Sequence, residues 1–384
     1  MIMASRSYTS VTDRGKLKTS KRWVVKIGSA LLTNDGAGLD RERMQSWVDQ
    51  MSGLIADGVE LCLVSSGAIA VGLQVLELKQ RPDQLPVLQA AAAIGQMGLV
   101  QAWQSCFAAR GHETAQVLLT HEDLADRTRY LNARGTLRAL SQFQVIPVVN
   151  ENDTVATDEI RFGDNDSLGA LATNLLEADV LVILTDQDGF FDKDPRAHTD
   201  AKLIAEARAL DDSLIASAGR EGGSLGRGGM YTKILAAQQA ARSGAMTVIA
   251  NGRTEGVLTR LRNAEPLGSL LTPDLKPLAA RKRWLASHKQ VRGILIVDAG
   301  AATALRDKGR SLLPVGVVAV RGVFARGDIV AIETEDGVRL AAGLVNYDSD
   351  QALSMKGLST ATLKQTHALL EGDALVHRDN MALV

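Results

Sequence analysis

Short apolar runs alternate along the chain with longer segments whose apolar residues recur every three or four positions. Arg22 to Ile27 (RWVVKI) reads as a strand, and Arg41 to Ala56 follows with helical spacing. Leu61 to Val64 (LCLV) is a second strand, and a helix starts at Ala68 and runs to Leu76. Further strands fall at Gln116 to Leu119, Val145 to Val149, Val180 to Leu184 and Met246 to Ala250. Helical stretches lie between them, Gln89 to Gln104 (QAAAAIGQMGLVQAWQ) among them. Strands that alternate with helices imply crossover units and a mostly parallel sheet. Runs that are apolar throughout suit a sheet covered on both faces. The expected fold class is therefore α/β, a three-layer αβα sandwich with a mostly parallel sheet.

The pattern changes near Leu275. Pro273 to Gln290 holds two prolines and the run Arg281-Lys282-Arg283, and it reads as a connection. From Val291 onward the apolar runs are short and punctuated by glycine: GILIV, VGVVAV, DIVAI and AAGLV. That rhythm predicts a small β-rich domain, a barrel in its simplest form. The expected organisation is a mobile tail at 1–20, an α/β domain at 21–275, a linker at 276–290 and a second domain at 291–384.

Composition narrows the classes. The 384 residues are 46% hydrophobic and 23% charged, an ordinary globular balance. The net charge of −1 supplies no global field for nucleic acid or anionic lipid. Two cysteines make no disulfide framework, which fits a reducing compartment, and Cys62 reads as a small buried hydrophobe. The first twenty residues lack the apolar stretch of a signal peptide, and no run reaches the ~20 apolar residues of a membrane span. The expected compartment is the cytoplasm, with no membrane contact.

The candidate chemistry sits at strand ends. Lys26 interrupts the first strand just before Gly28-Ser29. A lysine in a buried strand is costly unless it meets an anion, and an edge-strand lysine reaching water is the other reading. Ser65-Ser66-Gly67 follows the second strand and opens a helix, where small hydroxyl residues cap or offer donors to an anion. Asn150-Glu151-Asn152-Asp153 ends one strand, Gly163-Asp164-Asn165-Asp166 precedes a helix at Leu168 to Leu176, and Thr185-Asp186 ends another strand. Polar groups at the carboxyl ends of parallel strands are where such sheets bind ligands. LGRGGMYTK (225–233) is a glycine-rich loop feeding a helix, Met230 to Ser243. It lacks the serine or threonine that follows the lysine of a Walker A loop, and Tyr231 stands where a dinucleotide fingerprint needs glycine. On its own it serves equally as a phosphate cradle or a capped solvent loop.

Taken together, VVKIGSALLT, LVSSGAIAVG, VIPVVNENDTV, RFGDNDSLGA, LTDQDGFFDKDPR and GRGGMYTK resemble the amino-acid kinase superfamily, most closely its glutamate 5-kinase family. SLLPVGVVAVRGVFARGDIVAI and AAGLVNYDS are similar to a PUA domain, which that family often carries. The resemblance implies ATP-dependent phosphorylation of the L-glutamate side-chain carboxylate to glutamyl 5-phosphate, the first step of proline biosynthesis. By the same resemblance Lys26 and Lys233 grip the phosphates and Asp166 orients them. Gly28, Ser29, Thr185, Asp186 and the stretch Arg227, Gly228, Gly229, Met230, Tyr231 and Thr232 contact ATP. Ser66, Gly67, Asp153 and Asn165 bind glutamate. Mg2+ bridges the ATP phosphates, with no protein metal ligands assigned. The family also implies proline as feedback inhibitor and a homo-oligomer, dimer or tetramer. Ala30, Gly169 and Arg227 depart from the family pattern, which expects Ser or Thr, Ser, and Thr at these places. Two other readings stay open: a sister kinase acting on another acid, and RNA binding through the C-terminal domain. Residues 291–384 carry 10 Lys and Arg against 11 Asp and Glu, so a basic footprint for RNA is not evident.

Overall fold

The structure is a computed structural model. It describes residues 13–33, 38–78, 80–156, 165–218, 229–274, 291–366 and 373–383. The chain divides into two compact units. One comprises the chain up to His121 together with Leu137–Asp274, and the other comprises Glu122–Thr136 and the chain from Leu275 onward. The predicted linker, 276–290, lies outside the described residues.

The first unit is built on β1 (Arg22–Ile27), β2 (Glu60–Ser65), β3 (Thr114–Leu119), β4 (Ile146–Glu151), β5 (Val180–Thr185), β6 (Glu206–Arg208), β7 (Met246–Asn251) and β8 (Ser269–Thr272). Their order across the sheet is β3-β4-β2-β1-β5-β7-β8-β6. All described pairings are parallel except β7 with β8. β5 is buried at every position and β1 at five of six, as continuous apolar runs require under helices on both faces. Trp23, Trp47, Trp103 and Phe107 fill one face of this core. β1 is central, so the edge-strand reading of Lys26 is excluded.

Two helices cross at backbone contact. A Cβ added to Gly72, in the helix Ala68–Val75, would lie 1.7 Å from the carbonyl oxygen of Ala91. One added to Gly95, in the helix Leu85–Ala108, would lie 1.9 Å from that of Ala68. Only glycine allows this approach, and it brings the second helix against the carboxyl ends of β2 and β4. Leu85–Ala108 is long and apolar enough to cross a bilayer, contrary to the expectation from the sequence. Its Leu99, Trp103 and Phe107 are instead completely covered by the α/β core.

The tail expected to be mobile, 1–20, is ordered in its second part, while residues 1–12 lie outside the described residues. Asp13–Lys18 forms a 3-10 helix with Leu17 buried. The Arg14 guanidinium donates to the carbonyl oxygens of Leu267 (2.7 Å), Ala205 (2.9 Å) and Gly268 (3.0 Å). One long polar side chain satisfying buried carbonyls leaves no apolar periodicity, so the sequence alone read this segment as mobile. β6 and β8 were missed because three and four residues carry no period.

In the second unit, β9 (Gly293–Val297), β10 (Val317–Arg321), β11 (Ile329–Thr334), β12 (Arg339–Val345) and β13 (Val376–Leu383) form a sheet ordered β10-β9-β11-β12-β13. β9 and β11 pair in parallel and the other neighbours antiparallel. Leu312, on the segment leading into β10, bridges to Val376 of β13. The closure expected of a barrel is thus reduced to one bridge among the described residues. Glu122–Thr136 groups here rather than with the α/β unit, and Arg326 Nη1 donates to Asn132 Oδ1 at 3.3 Å.

Gly95→Ala is expected to destabilise the protein by about 2 kcal/mol or more, because the overlap is with backbone and cannot be relieved by a rotamer change. Urea denaturation measures this; an unchanged midpoint would show that the helices do not approach as described.

Candidate active site

The sheet order places the polar strand ends side by side. β4 ends in Asn150-Glu151, β2 in Ser65, β1 in Lys26-Ile27, β5 in Thr185 and β7 in Asn251. Ile27 lies level with Ser65 on one side and Leu184 on the other. The groups expected to bind the amino acid therefore lie on the β4–β2 side of β1. Those expected to bind nucleotide lie on the β5–β7 side.

The centre is a three-residue ion cluster. Asp166 is completely buried, and Lys26 and Lys233 are each 5% exposed. Lys26 Nζ is 2.5 Å from Asp166 Oδ1, and Lys233 Nζ is 3.1 Å from Oδ2. Thr232 Oγ1 donates to Oδ2 at 2.9 Å. Burial pushes the Asp166 carboxyl up, but the charges of Lys233 and Lys26 and the hydrogen bonds of Lys26 and Thr232 outweigh it. The group is held well below the ordinary carboxylate range. Asp166 sits in the first turn of the helix Asn165–Leu176, which begins three residues earlier than the apolar pattern indicates. An acidic residue there also complements the helix dipole. Lys233 is in the first turn of the helix Met230–Arg242. One carboxylate thus fixes two ammonium groups from two elements beside the end of β1, an arrangement able to grip an anionic group.

A Cβ at Gly169 would lie 3.3 Å from Leu181 Cδ1 and 3.5 Å from Lys26 Cβ, so a larger residue here would press on Leu181 and make ordinary contact with the Lys26 stem. The Gly28 N–H donates to Leu184 O at 3.3 Å, and Gly28 caps the short helix Ser29–Leu32 that follows β1. Gly67 has φ +99°, which explains glycine at the turn after Ser66.

On the β4–β2 side, Asn165 Nδ2 donates to Ser65 O and to Asn150 Oδ1, each at 2.8 Å. Asn150 Nδ2 donates to Gln96 Oε1 at 2.6 Å. Trp103 Nε1 donates to Ser65 Oγ at 2.9 Å. Asp153 lines a cavity of about 230 Å³ with Gln96 and Glu151. On the nucleotide side, Thr185 Oγ1 donates to Asp186 Oδ1 at 3.1 Å, and Gly252 N donates to Thr185 O at 2.9 Å. Gly229 caps the Lys233 helix and Met230, Tyr231 and Thr232 form its first turn with Lys233, whereas Arg227 and Gly228 lie outside the described residues. No group of three His, Cys, Asp or Glu gathers as a metal site among the described residues. Reading the sequence missed Gln96 and left Asn150 without a role. The available signal was a glutamine on the inward side of an otherwise apolar helix.

The amino acid kinase family profile matches residues 21–251. The chain belongs to the amino acid kinase family. A PUA domain profile matches residues 293–366 of this kinase. A glutamate 5-kinase of Pseudomonas paraeruginosa is 58% identical over 371 residues, covering 97% of this amino acid kinase and 100% of its own length. A glutamate 5-kinase of Pseudomonas fluorescens is 59% identical over the same shares. A UMP kinase structure from Bacillus anthracis shares 13% identity and a TM-score of 0.46, covering 67% of this chain and 97% of its own. A likeness that slight bears on nothing below.

Asp166→Asn is expected to cost about 3–5 kcal/mol at neutral pH, since two buried ammonium groups lose their carboxylate. The folded carboxyl is depressed, so its contribution is complete above its ordinary value of about 3.9 and is lost as pH falls towards the depressed value. The stability gap between wild type and variant should be flat from about pH 8 to 5 and narrow below about pH 4. Urea unfolding over that range checks it, and a gap that persists undiminished to pH 3 would contradict the depressed carboxyl.

Proposed function

We propose that this kinase transfers the γ-phosphoryl group of ATP to the side-chain carboxylate of L-glutamate, giving glutamyl 5-phosphate and ADP, the reaction that opens proline biosynthesis. The observation that carries the reading is the buried Lys26–Asp166–Lys233 cluster at the end of β1, between the Asn150–Asn165 amides on its β4–β2 side and Thr185 at the end of β5. The acceptor carboxylate has a pKa of about 4.3 and is already ionised at neutral pH, so no general base is needed. A carboxylate oxygen attacks the γ-phosphorus. The bond from that phosphorus to the bridging oxygen breaks, and ADP leaves with the electron pair. The protein's task is alignment and charge stabilisation. Lys26 and Lys233 meet the transferring group, and Asp166 holds both ammonium groups in place. Ser66, Gly67, Asp153 and Asn165 hold the amino acid, with Asp153 matched to its α-ammonium group. Ser29, Thr185, Asp186 and the residues from Gly229 to Thr232 contact the nucleotide. Mg2+ would accompany the nucleotide substrate and supply neutralising charge to the transferring phosphoryl group.

Proline as feedback inhibitor, a dimeric or tetrameric homo-oligomer and a cytoplasmic setting belong to the same reading and rest on family membership alone. No observation favours RNA as a partner of the C-terminal unit.

The substrate test uses ATP, Mg2+ and hydroxylamine with glutamate, aspartate or acetylglutamate. Hydroxamate should form from glutamate; its absence there would overturn the assignment. Lys233→Ala should lower kcat by about 10²–10³ or more, as loss of a donor to developing charge does. Some stability should go with it, since Asp166 loses one of its two cations. A variant with wild-type turnover would remove Lys233 from the chemistry.

A further inference from the structure

Gln96 is a buried polar residue on a helix face made of alanine, leucine and tryptophan. It is 9% exposed and borders the cavity that Glu151 and Asp153 also line. Its Oε1 accepts from Asn150 Nδ2, while its Nε2 has no hydrogen-bond partner. A buried donor left unsatisfied is costly, so the value of a glutamine here lies in the acceptor it supplies.

The orientations of all three amides are dictated by backbone groups at the ends of the chain of bonds. The Glu151 N–H needs an acceptor, and it finds Asn150 Oδ1 at 2.9 Å. Asn150 must then turn its Nδ2 towards Gln96, which answers with Oε1. At the other end the Ser65 carbonyl needs a donor, so the Asn165 atom facing it is nitrogen. That same nitrogen meets Asn150 Oδ1, so both Nδ2 hydrogens of Asn165 are used. What Asn165 has left is Oδ1, an acceptor. An acceptor repels a carboxylate and a phosphate; the donor on an amino acid that it can meet is the α-ammonium group.

We propose that Gln96 is a positioning residue for the amino-acid substrate: through Asn150 it holds the Asn165 carboxamide with Oδ1 presented to the substrate's α-ammonium group. Without the Gln96 acceptor, Asn150 Nδ2 becomes a buried orphan. The Asn150 side chain then gains by turning away, and Asn165 loses the partner that sets its orientation. Gln96 is held at this place by the Gly72–Gly95 approach one residue earlier in its helix. Trp103, two turns further on the same face, fixes Ser65 in the same way. This inference rests on the reading of the protein as a glutamate kinase.

The test compares steady-state kinetics of wild type, Gln96→Met and Gln96→Glu, varying glutamate and ATP separately. Gln96→Met keeps the length and removes the acceptor; Gln96→Glu keeps an acceptor of the same reach. Gln96→Met should raise the glutamate KM by about tenfold, the loss expected of one hydrogen bond to a charged group. Its kcat and ATP KM should stay within about twofold, and Gln96→Glu should retain most of the wild-type glutamate KM. The proposal is overturned by an unchanged glutamate KM in Gln96→Met, by equal rises in both KM values, or by Gln96→Glu as impaired as Gln96→Met. Should Gln96→Met not fold, Gln96→Ala is measured in its place with the same criteria. The wild-type assay separates the two claims. No turnover of glutamate by wild type sinks the substrate assignment, whereas turnover without the KM split sinks only the role of Gln96.

Discussion

The structure of the α/β unit turns on one carboxylate that is never allowed to see water. Asp166 is completely buried and yet held charged, and two lysines from different elements are what make that tolerable. Removing it would leave two buried ammonium groups without their carboxylate partner. The cluster therefore does two things at once. It ties β1, the helix Asn165–Leu176 and the helix Met230–Arg242 together, and it leaves two cations aimed at the strand ends.

The other half of the site is braced by packing rather than by charge. Gly72 and Gly95 let two helices touch through their backbones, and that contact carries the helix Leu85–Ala108 up to β2 and β4. From one face of that helix, Trp103 reaches Ser65 and Gln96 reaches Asn150. A displacement of the helix would move both, so pocket geometry is coupled to the helix crossing. The ion cluster and this brace meet at the helix that begins with Asn165 and Asp166. Asn165 belongs to the amide chain, and Asp166 to the charges.

Much of this unit was legible as pattern. β1 and the helix Arg41–Ala56 have the bounds their apolar periods indicate, and the buried parallel strands show as unbroken apolar runs. The family motifs named Lys26 and Thr185 at strand ends and Asp166 and Lys233 at helix starts, and the sheet order lines up the strand ends. Other features left no pattern to read. The strands Glu206–Arg208 and Ser269–Thr272 are too short for a period. Arg14 anchors the N-terminal segment through carbonyl groups, which any sequence supplies. The pairing of Asp166 with Lys26 and Lys233 joins residues 140 and 67 positions apart, a long-range event.

By itself, then, the sequence determined which residues can carry charge or donate hydrogen bonds, and where the chain must be strand or helix. Those properties are local: they depend on side-chain chemistry and on periods of two and 3.6 residues. Only the tertiary structure decided that Lys26 is interior and not at an edge, that a glutamine 54 residues upstream sets the amide of Asn150, and which atom of Asn165 is left to face a ligand. Hydrogen-bond direction is a property of pairs, and these partners are distant in the chain and adjacent only once the sheet and the helix crossing have formed.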